Sequence, residues 1–277
     1  MTTPHIAGNL FEDRFPDLGV HLEDHIATVQ IQRPPLNFFD HTLIGQLADA
    51  FDALDDHNCC RVIVLCSEGK AFCAGANFGT GQDDGTGSED FSEEGFRTTT
   101  GTLYRQGARL FSTRKPIVAA IQGAAVGGGL GLALVADFRV ASPQARFAAN
   151  FVKLGLHQGF GVSVTLPRIV GQQAAARMLL SGQRVNGDRA HQIGLVDELV
   201  DSVDLLERTR AFAAEIAENA PLAVVSVRST LREGLAEAVL QATEHELAEQ
   251  QRLRATEDAY EGIRAVSERR PGNFVGR

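Results

Sequence analysis

Residues 115–142, KPIVAAIQGAAVGGGLGLALVADFRVAS, decide how the chain is read. Pro116 introduces a short apolar run, IVAAIQG, which is bounded by glycine and has the length of a buried strand. Behind it the cluster Gly127-Gly128-Gly129-Leu130-Gly131 opens a helical run of small and apolar residues. Residues 138–141 then return to strand character. A strand entering a helix through bare glycines suggests a phosphate cradle, but the spacing denies it. A G-x-G-x-x-G/A fingerprint begun at Gly127 puts its third glycine on Leu132, and begun at Gly129 on Leu134. What three successive glycines do offer is naked backbone. No Cβ holds a ligand away, and the unpaired N–H groups of a helix start point toward it with the positive end of the dipole.

Working outward, residues 61–66 (RVIVLC) form another buried strand, and Cys73-Ala74-Gly75-Ala76 makes a small-residue turn just past it. Either turn alone is ordinary tight packing. Two backbone donors, one from each, would make an oxyanion hole worth roughly 3–4 kcal/mol per donor. Gly69-Lys70-Ala71 does not complete a Walker loop, and no GxSxG elbow occurs. Residues 19–24 and 25–32 read as strands, the second with Ile26, Thr28 and Gln30 opposite Ala27, Val29 and Ile31. Residues 41–55 place Leu43, Ile44, Leu47, Ala48, Phe51 and Leu54 on one helical face. A helix is expected over 95–113, strands near Phe147 and over 195–200, and helices from Pro167 onward. The last helices are expected over 204–219, 222–235 and, as one long element, 237–268. The pattern is a mixed α/β core over 1–200 followed by a helical region over 201–277.

With 26 basic and 35 acidic residues the net charge is −9, and no basic stripe marks a nucleic-acid surface. No apolar run reaches the roughly 20 residues that span a bilayer, and the first residues lack the features of a signal peptide, so a cytoplasmic protein is expected. Cys59, Cys60, Cys66 and Cys73 crowd together, so they read as reduced small hydrophobes. The histidines show no ligand spacing, and no metal is expected.

The segments GKAFCAGANF, KPIVAAIQGAAVGGGLGLALVADFRVAS, FVKLGLHQGFGVSVTLPRIVGQQAA and SGQRVNGDRAHQIGLVDELV, with the tail EDAYEGIRAVSERRPGNF, closely resemble the enoyl-CoA hydratase/isomerase (crotonase) superfamily. The resemblance runs from about residue 17 to 274. It implies a spiral of ββα units with a C-terminal helical region that serves oligomerisation and covers the active site. It further implies homotrimers or dimers of trimers, and an acyl-CoA thioester as substrate, with coenzyme A part of the substrate and no separate cofactor. The family's oxyanion hole maps onto the backbone amides of Ala76 and Gly128. Ala74 and Lys70 fall where the coenzyme is bound, and Arg105 and Arg269 are further candidates for its phosphates.

The same resemblance shows what is missing. The family's hydratases use two glutamates, whose positions are Gly131 and Phe151 here. A third position, an aspartate in dienoyl-CoA isomerases and in 4-chlorobenzoyl-CoA dehalogenase, is Gly159. A positioned acid or base contributes 10²–10⁴-fold, so ordinary hydration should suffer. His157 and Tyr104 are the candidate catalytic substitutes, Gln158 could orient a water in the acyl pocket, and Phe151 would wall that pocket. Asn150 reads as a turn residue. The acidic stretch 83–94 reads as a solvated loop or as a lid. Three readings follow: an enolate-stabilising hydratase/isomerase-like enzyme, a divergent enzyme that decarboxylates or cleaves a C–C bond, and a non-catalytic acyl-CoA-binding subunit.

Overall fold

The computed structural model describes residues 10, 11, 14–77 and 93–277. Strands β1 (Leu18–Glu23) and β2 (Ile26–Ile31) form an antiparallel hairpin. Its two connecting residues, Asp24 and His25, both have positive φ (49° and 67°), as the tightest hairpin turns require. Parallel strands β3 (Val62–Ser67), β4 (Ile117–Ile121), β6 (Phe138–Ala141) and β9 (Glu198–Leu199) extend the sheet in the order β1-β2-β3-β4-β6-β9. A second sheet holds β5 (Ala124–Val126), β7 (Arg146–Ala148) and β8 (Arg184–Asn186). Only Gln122 and Gly123 separate β4 from β5, so the chain turns from one sheet directly into the other.

The large sheet is buried on both sides, which is why β3 and β4 read as continuous apolar runs, and even Thr28 and Gln30 of β2 are buried. Ala27, Val29, Ile31, Ile63, Leu65, Ile117 and Ala119 face the main core, with Leu43 and Ile44 of α1 (His41–Asp56) and Leu103 and Leu110 of α2 (Glu93–Leu110). Ile26, Val62, Val64, Val118 and Val140 face the other way, against Leu205, Ala213 and Ala217 of α6 (Leu205–Ala217). The two faces expected for β2 are therefore present, and both are covered. The first helix after residue 201 is itself part of the core.

Several expectations need correcting. The glycine cluster opens only a six-residue helix, α3 (Gly128–Ala133). The next long helix, α4 (Val162–Ser181), begins before Pro167 and bends at Gly171 (φ 77°, ψ 160°). After α5 (Gly187–Gln192) and α7 (Pro221–Leu231), the expected single helix over 237–268 is two, α8 (Leu235–Arg254) and α9 (Glu257–Ser267). Thr256 divides them: its hydroxyl accepts from the Ala259 amide and starts α9 as an N-cap. Strands β5 and β8 are not among the expected elements: β5 follows β4 after two residues and runs into the glycine cluster, and β8 is three residues between α4 and α5. The acidic stretch lies outside the described residues up to position 92. Cys60, Cys66 and Cys73 are buried and Cys59 is exposed, all four as free thiols.

Candidate functional site

The two small-residue turns meet. Cys73 donates its amide to the Ala124 carbonyl at 2.9 Å and accepts from the Val126 amide at 3.1 Å, so the CAGA turn lies along β5. Each glycine of the triplet has its own reason. Gly127 adopts φ 57° and ψ −121°, a conformation that a side chain would strain, and donates its amide to Ala148. A Cβ at Gly128 would fall 2.1 Å from Cζ of Phe39, and one at Gly129 would fall 2.0 Å from the Cys73 carbonyl oxygen. Across the gap, a Cβ at Gly75 would stand 3.5 Å from the Gly128 nitrogen, so the residue before Ala76 abuts the first residue of α3. The Gly75 carbonyl accepts from the Phe39 amide at 3.1 Å. Neither the Ala76 nor the Gly128 amide donates a hydrogen bond to another described residue.

The three positions without a carboxylate are not holes. Phe160 is buried with φ 60°, between Gly159 and Gly161. A Cβ at Gly131 would lie 2.8 Å from Cδ1 of this phenyl ring, and one at Gly107 in α2 would lie 2.8 Å from Cε2 on its other side. The Phe160 and Phe39 rings are tilted against each other with centroids 5.4 Å apart. Phe151 is half-buried on the 3₁₀ turn Asn150–Leu154. Its ring edge would lie 3.8 Å from a Cβ at Gly127, and the Asn150 Oδ1 would lie 3.5 Å from the same point. At Gly159 a Cβ would fall 1.8 Å from the Tyr104 hydroxyl oxygen. Phenyl and phenol groups thus occupy the space at Gly131 and Gly159, while Phe151 brings its ring to Gly127.

Tyr104 is buried in α2 and donates its hydroxyl hydrogen to Oε1 of Gln250 at 2.9 Å. Gln250 in turn donates Nε2 to the His157 carbonyl at 2.9 Å. The His157 ring is half-buried, with Nδ1 on the Gln158 carbonyl at 2.9 Å and its plane edge-on to His245 at 5.6 Å. Gln158 itself is half-buried. Ala74 commits its amide to the Leu36 carbonyl, and Lys70 is exposed. Arg105 is exposed in α2 and Arg269 is exposed beyond α9.

Four residues that the sequence reading passed over shape this region: Phe39, Phe160, Glu246 and Gln250. Glu246 is fully buried in α8 and accepts from the amides of Gly161 (2.8 Å) and Ser163 (3.1 Å) and from the Ser163 hydroxyl. Burial pushes its carboxyl above the ordinary glutamate range, although those donors oppose the shift. The signals were thin. Phe160 stands alone between glycines at 159 and 161, and Glu246 and Gln250 share one helical face at i and i+4. Among the described residues no group of three His, Cys, Asp or Glu side chains could hold a metal ion.

Residues 21–277 match the enoyl-CoA hydratase/isomerase family. The chain is 31% identical over 267 residues to crotonyl-CoA hydratase of Syntrophomonas wolfei, covering 95% of this chain and 99% of that protein. It is 32% identical over 266 residues to 2,3-dehydroadipyl-CoA hydratase of Escherichia coli, covering 94% and 99%. The crystal structure of an enoyl-CoA hydratase/isomerase from Pseudoalteromonas atlantica superposes with a TM-score of 0.79 at 27% identity, over 94% of this chain and all of that one. The fold is therefore the α/β crotonase fold. Within it, the chain belongs to the enoyl-CoA hydratase/isomerase family.

Proposed function

We propose that the protein binds an acyl-CoA thioester with its carbonyl oxygen between the amides of Ala76 and Gly128 and stabilises the enolate formed there. One observation carries this reading: two abutting turns present two backbone donors that no other described residue uses. An α-carbanion of a thioester is accessible only when charge on the oxygen is stabilised, and fixed amides do this without reorganisation. Ala74 and the exposed Lys70 are assigned to the coenzyme side, and Phe151 and Gln158 to the acyl side. Assembly as trimers or paired trimers would cover α7, whose Leu222, Val227 and Leu231 stand in solvent. Sedimentation of the purified chain measures it. The four free thiols suit a reducing compartment such as the cytoplasm.

A second reading is favoured by what fills the carboxylate positions. Hydration needs a base for water and an acid for carbon. A reaction that makes the enolate by expelling a carbon group, through decarboxylation or C–C cleavage, needs no base at the α-carbon. In decarboxylation the bonding pair passes into the enolate as CO₂ leaves. In cleavage of a β-keto thioester, water first adds to the keto carbon, so that the expelled group leaves as a carboxylic acid while the bonding pair passes into the enolate. In both, one proton then returns to the α-carbon. His157 is the group we assign to deliver it. Nδ1–H donates to the Gln158 carbonyl, so Nε2, which carries no hydrogen bond among the described residues, is the nitrogen that takes up a proton from solvent and passes it to carbon. Turnover of crotonyl-CoA, a malonyl-type thioester and a β-keto thioester separates the readings. Rapid hydration supports the hydratase label, and release of CO₂ or of a shorter thioester supports the second reading. Micromolar binding without turnover indicates a non-catalytic subunit. Failure to bind any of the three overturns the acyl-CoA assignment itself.

A further inference from the structure

We infer that Asn37 is a positioning residue for the Ala76 amide, acting through the main chain of Phe39, an inference that rests on the oxyanion reading above. A trans peptide unit is planar, so its C=O and its N–H point in opposite directions. The Gly75 carbonyl and the Ala76 N–H belong to one such unit. Whatever holds that carbonyl therefore aims that N–H. The Phe39 amide holds it, at 3.1 Å. The two proposed donors differ in this respect. The Gly127 carbonyl, which shares a plane with the Gly128 N–H, accepts from the amides of Leu130 (3.1 Å) and Gly131 (3.2 Å), so the start of α3 fixes its own donor. Ala76 lies outside helix and strand, after a glycine with φ 84°, and its plane depends on the segment opposite.

Asn37 places that segment. It is fully buried with φ 49°, a left-handed conformation that asparagine adopts more readily than most residues. Its Nδ2 donates to the carbonyls of Glu68 (2.7 Å) and Ala71 (2.8 Å), and its Oδ1 accepts from the Arg33 amide (3.0 Å). The carboxamide thus ties residue 33 to the stretch that leads from β3 into the CAGA turn. Two main-chain bonds flank it: the Ala74 amide donates to the Leu36 carbonyl at 3.0 Å, and the Phe39 amide donates to Gly75. The ends of the segment are joined as well, because Arg33 pairs with Asp40 at 2.9 Å and Asp40 caps α1. Both N–H groups of Asn37 are spent on carbonyls, so it acts through the backbone and not on a ligand. Without it the far side stays anchored, since Ser67 Oγ (3.1 Å) and Gln122 Nε2 (3.0 Å) also donate to the Ala71 carbonyl. What is lost is the register of residues 36–39 against 74–75, and with it the direction of the Ala76 N–H.

The test measures affinities on the intact protein by titration calorimetry, for butyryl-CoA and for the thioether S-butyl-CoA, which has no carbonyl. Two variants loosen the same plane through different atoms. Asn37→Gly keeps the left-handed backbone and deletes the carboxamide. Phenyllactate in place of Phe39 turns that amide into an ester, which keeps the ring and deletes the N–H. In each, butyryl-CoA should bind about two- to twelve-fold more weakly, the range of one net neutral hydrogen bond, while S-butyl-CoA binds as it does to wild type. A merely structural defect would weaken both ligands alike. The inference is overturned if the ester variant, or a folded Asn37→Gly, keeps the wild-type preference for butyryl-CoA over the thioether. The ester variant decides where Asn37→Gly does not fold. A wild-type protein that prefers the carbonyl while both variants keep that preference sinks this inference alone. A wild-type protein that binds the two ligands equally overturns the oxyanion reading with it.

Discussion

Gly128 is the first residue of α3, a position where proline fits the helical backbone and its missing N–H breaks no helical hydrogen bond. Proline there would delete one half of the proposed oxyanion hole, but the ring of Phe39 stands in the way, 2.1 Å from an added Cβ. The informative pair is therefore Phe39→Ala/Gly128→Pro against Phe39→Ala/Gly128→Ala. Both carry the Cβ and both make room for it, and only the first lacks the amide hydrogen. In a ground-state complex one neutral hydrogen bond contributes about 0.5–1.5 kcal/mol, so butyryl-CoA should bind the proline variant about two- to twelve-fold more weakly. The thioether S-butyl-CoA has no carbonyl, and its affinity should not differ between the two. Turnover of whichever thioester reacts should fall about 10²–10³-fold, because the bond strengthens as charge develops on the oxygen. Equal affinities for butyryl-CoA together with equal turnover in the two variants would refute the assignment of Gly128.

Three further outcomes follow from the packing and the charges. Asp137 accepts from Arg228 Nε at 2.8 Å and from Arg232 Nη1 at 2.7 Å, tying α7 and the residue just beyond it to the large sheet. Burial raises its pKa, but the two guanidiniums outweigh burial and hold it below the ordinary carboxylate range. Asp137→Asn should cost about 3–5 kcal/mol in urea unfolding at pH 7, since it leaves buried guanidiniums without their counter-charge. The stability Asp137 supplies is present above the ordinary Asp pKa and drains as the pH falls through its lowered folded value, so wild type and variant should converge in acid. Burial pushes the Cys60 thiol up to about 11 and those of Cys66 and Cys73 to about 12. Among these four thiols, a thiol reagent at pH 8 should therefore label Cys59 in the native protein and all of them after unfolding. Gly131→Glu should not restore hydration, because Phe160 fills the space. It should destabilise the fold by about 1–3 kcal/mol in thermal melts, and adding Phe160→Ala should recover part of that loss.

The fold was legible wherever burial is two-sided or helical over many residues. Alternation disclosed β2, continuous apolar runs disclosed β3 and β4, and the spacing from Leu43 to Leu54 disclosed α1. The second sheet was legible only in part: β7 is expected near Phe147, whereas β5, pressed between β4 and the glycine cluster, and β8, three residues between two helices, gave no separate signal. The division between α8 and α9 rests on one threonine accepting a single hydrogen bond, within residues that otherwise suit a helix. At the site, the glycines could be read because a missing side chain is visible in one dimension. Their partners could not. Phe39, Gly107, Gly131 and Phe160 converge from four separate segments, and no local pattern pairs them. Gln250 was equally hidden, since a glutamine on a long polar helix reads as surface until Tyr104 and His157 are found against it.

That convergence bears on whether the site still does chemistry. A glutamate simply lost to glycine in a packed interior leaves a void that costs stability in proportion to its volume. Here the volume beside Gly131 is taken by a phenyl ring, which in turn requires glycine at 107. Phe160 must also hold a left-handed backbone, strained by roughly 1–3 kcal/mol for a residue with a Cβ. Glu246 accepts from the Gly161 and Ser163 amides just beyond it and so holds the turn. At Gly159 the space is taken by a phenol whose hydrogen-bond direction is fixed by Gln250. Drift in an abandoned pocket gives no reason for mutually dependent choices on α2, α3, α8 and the Phe160 turn to agree. Their agreement, around two backbone donors that no other described residue uses, weighs for a remodelled acyl pocket over a binding subunit that has lost its reaction.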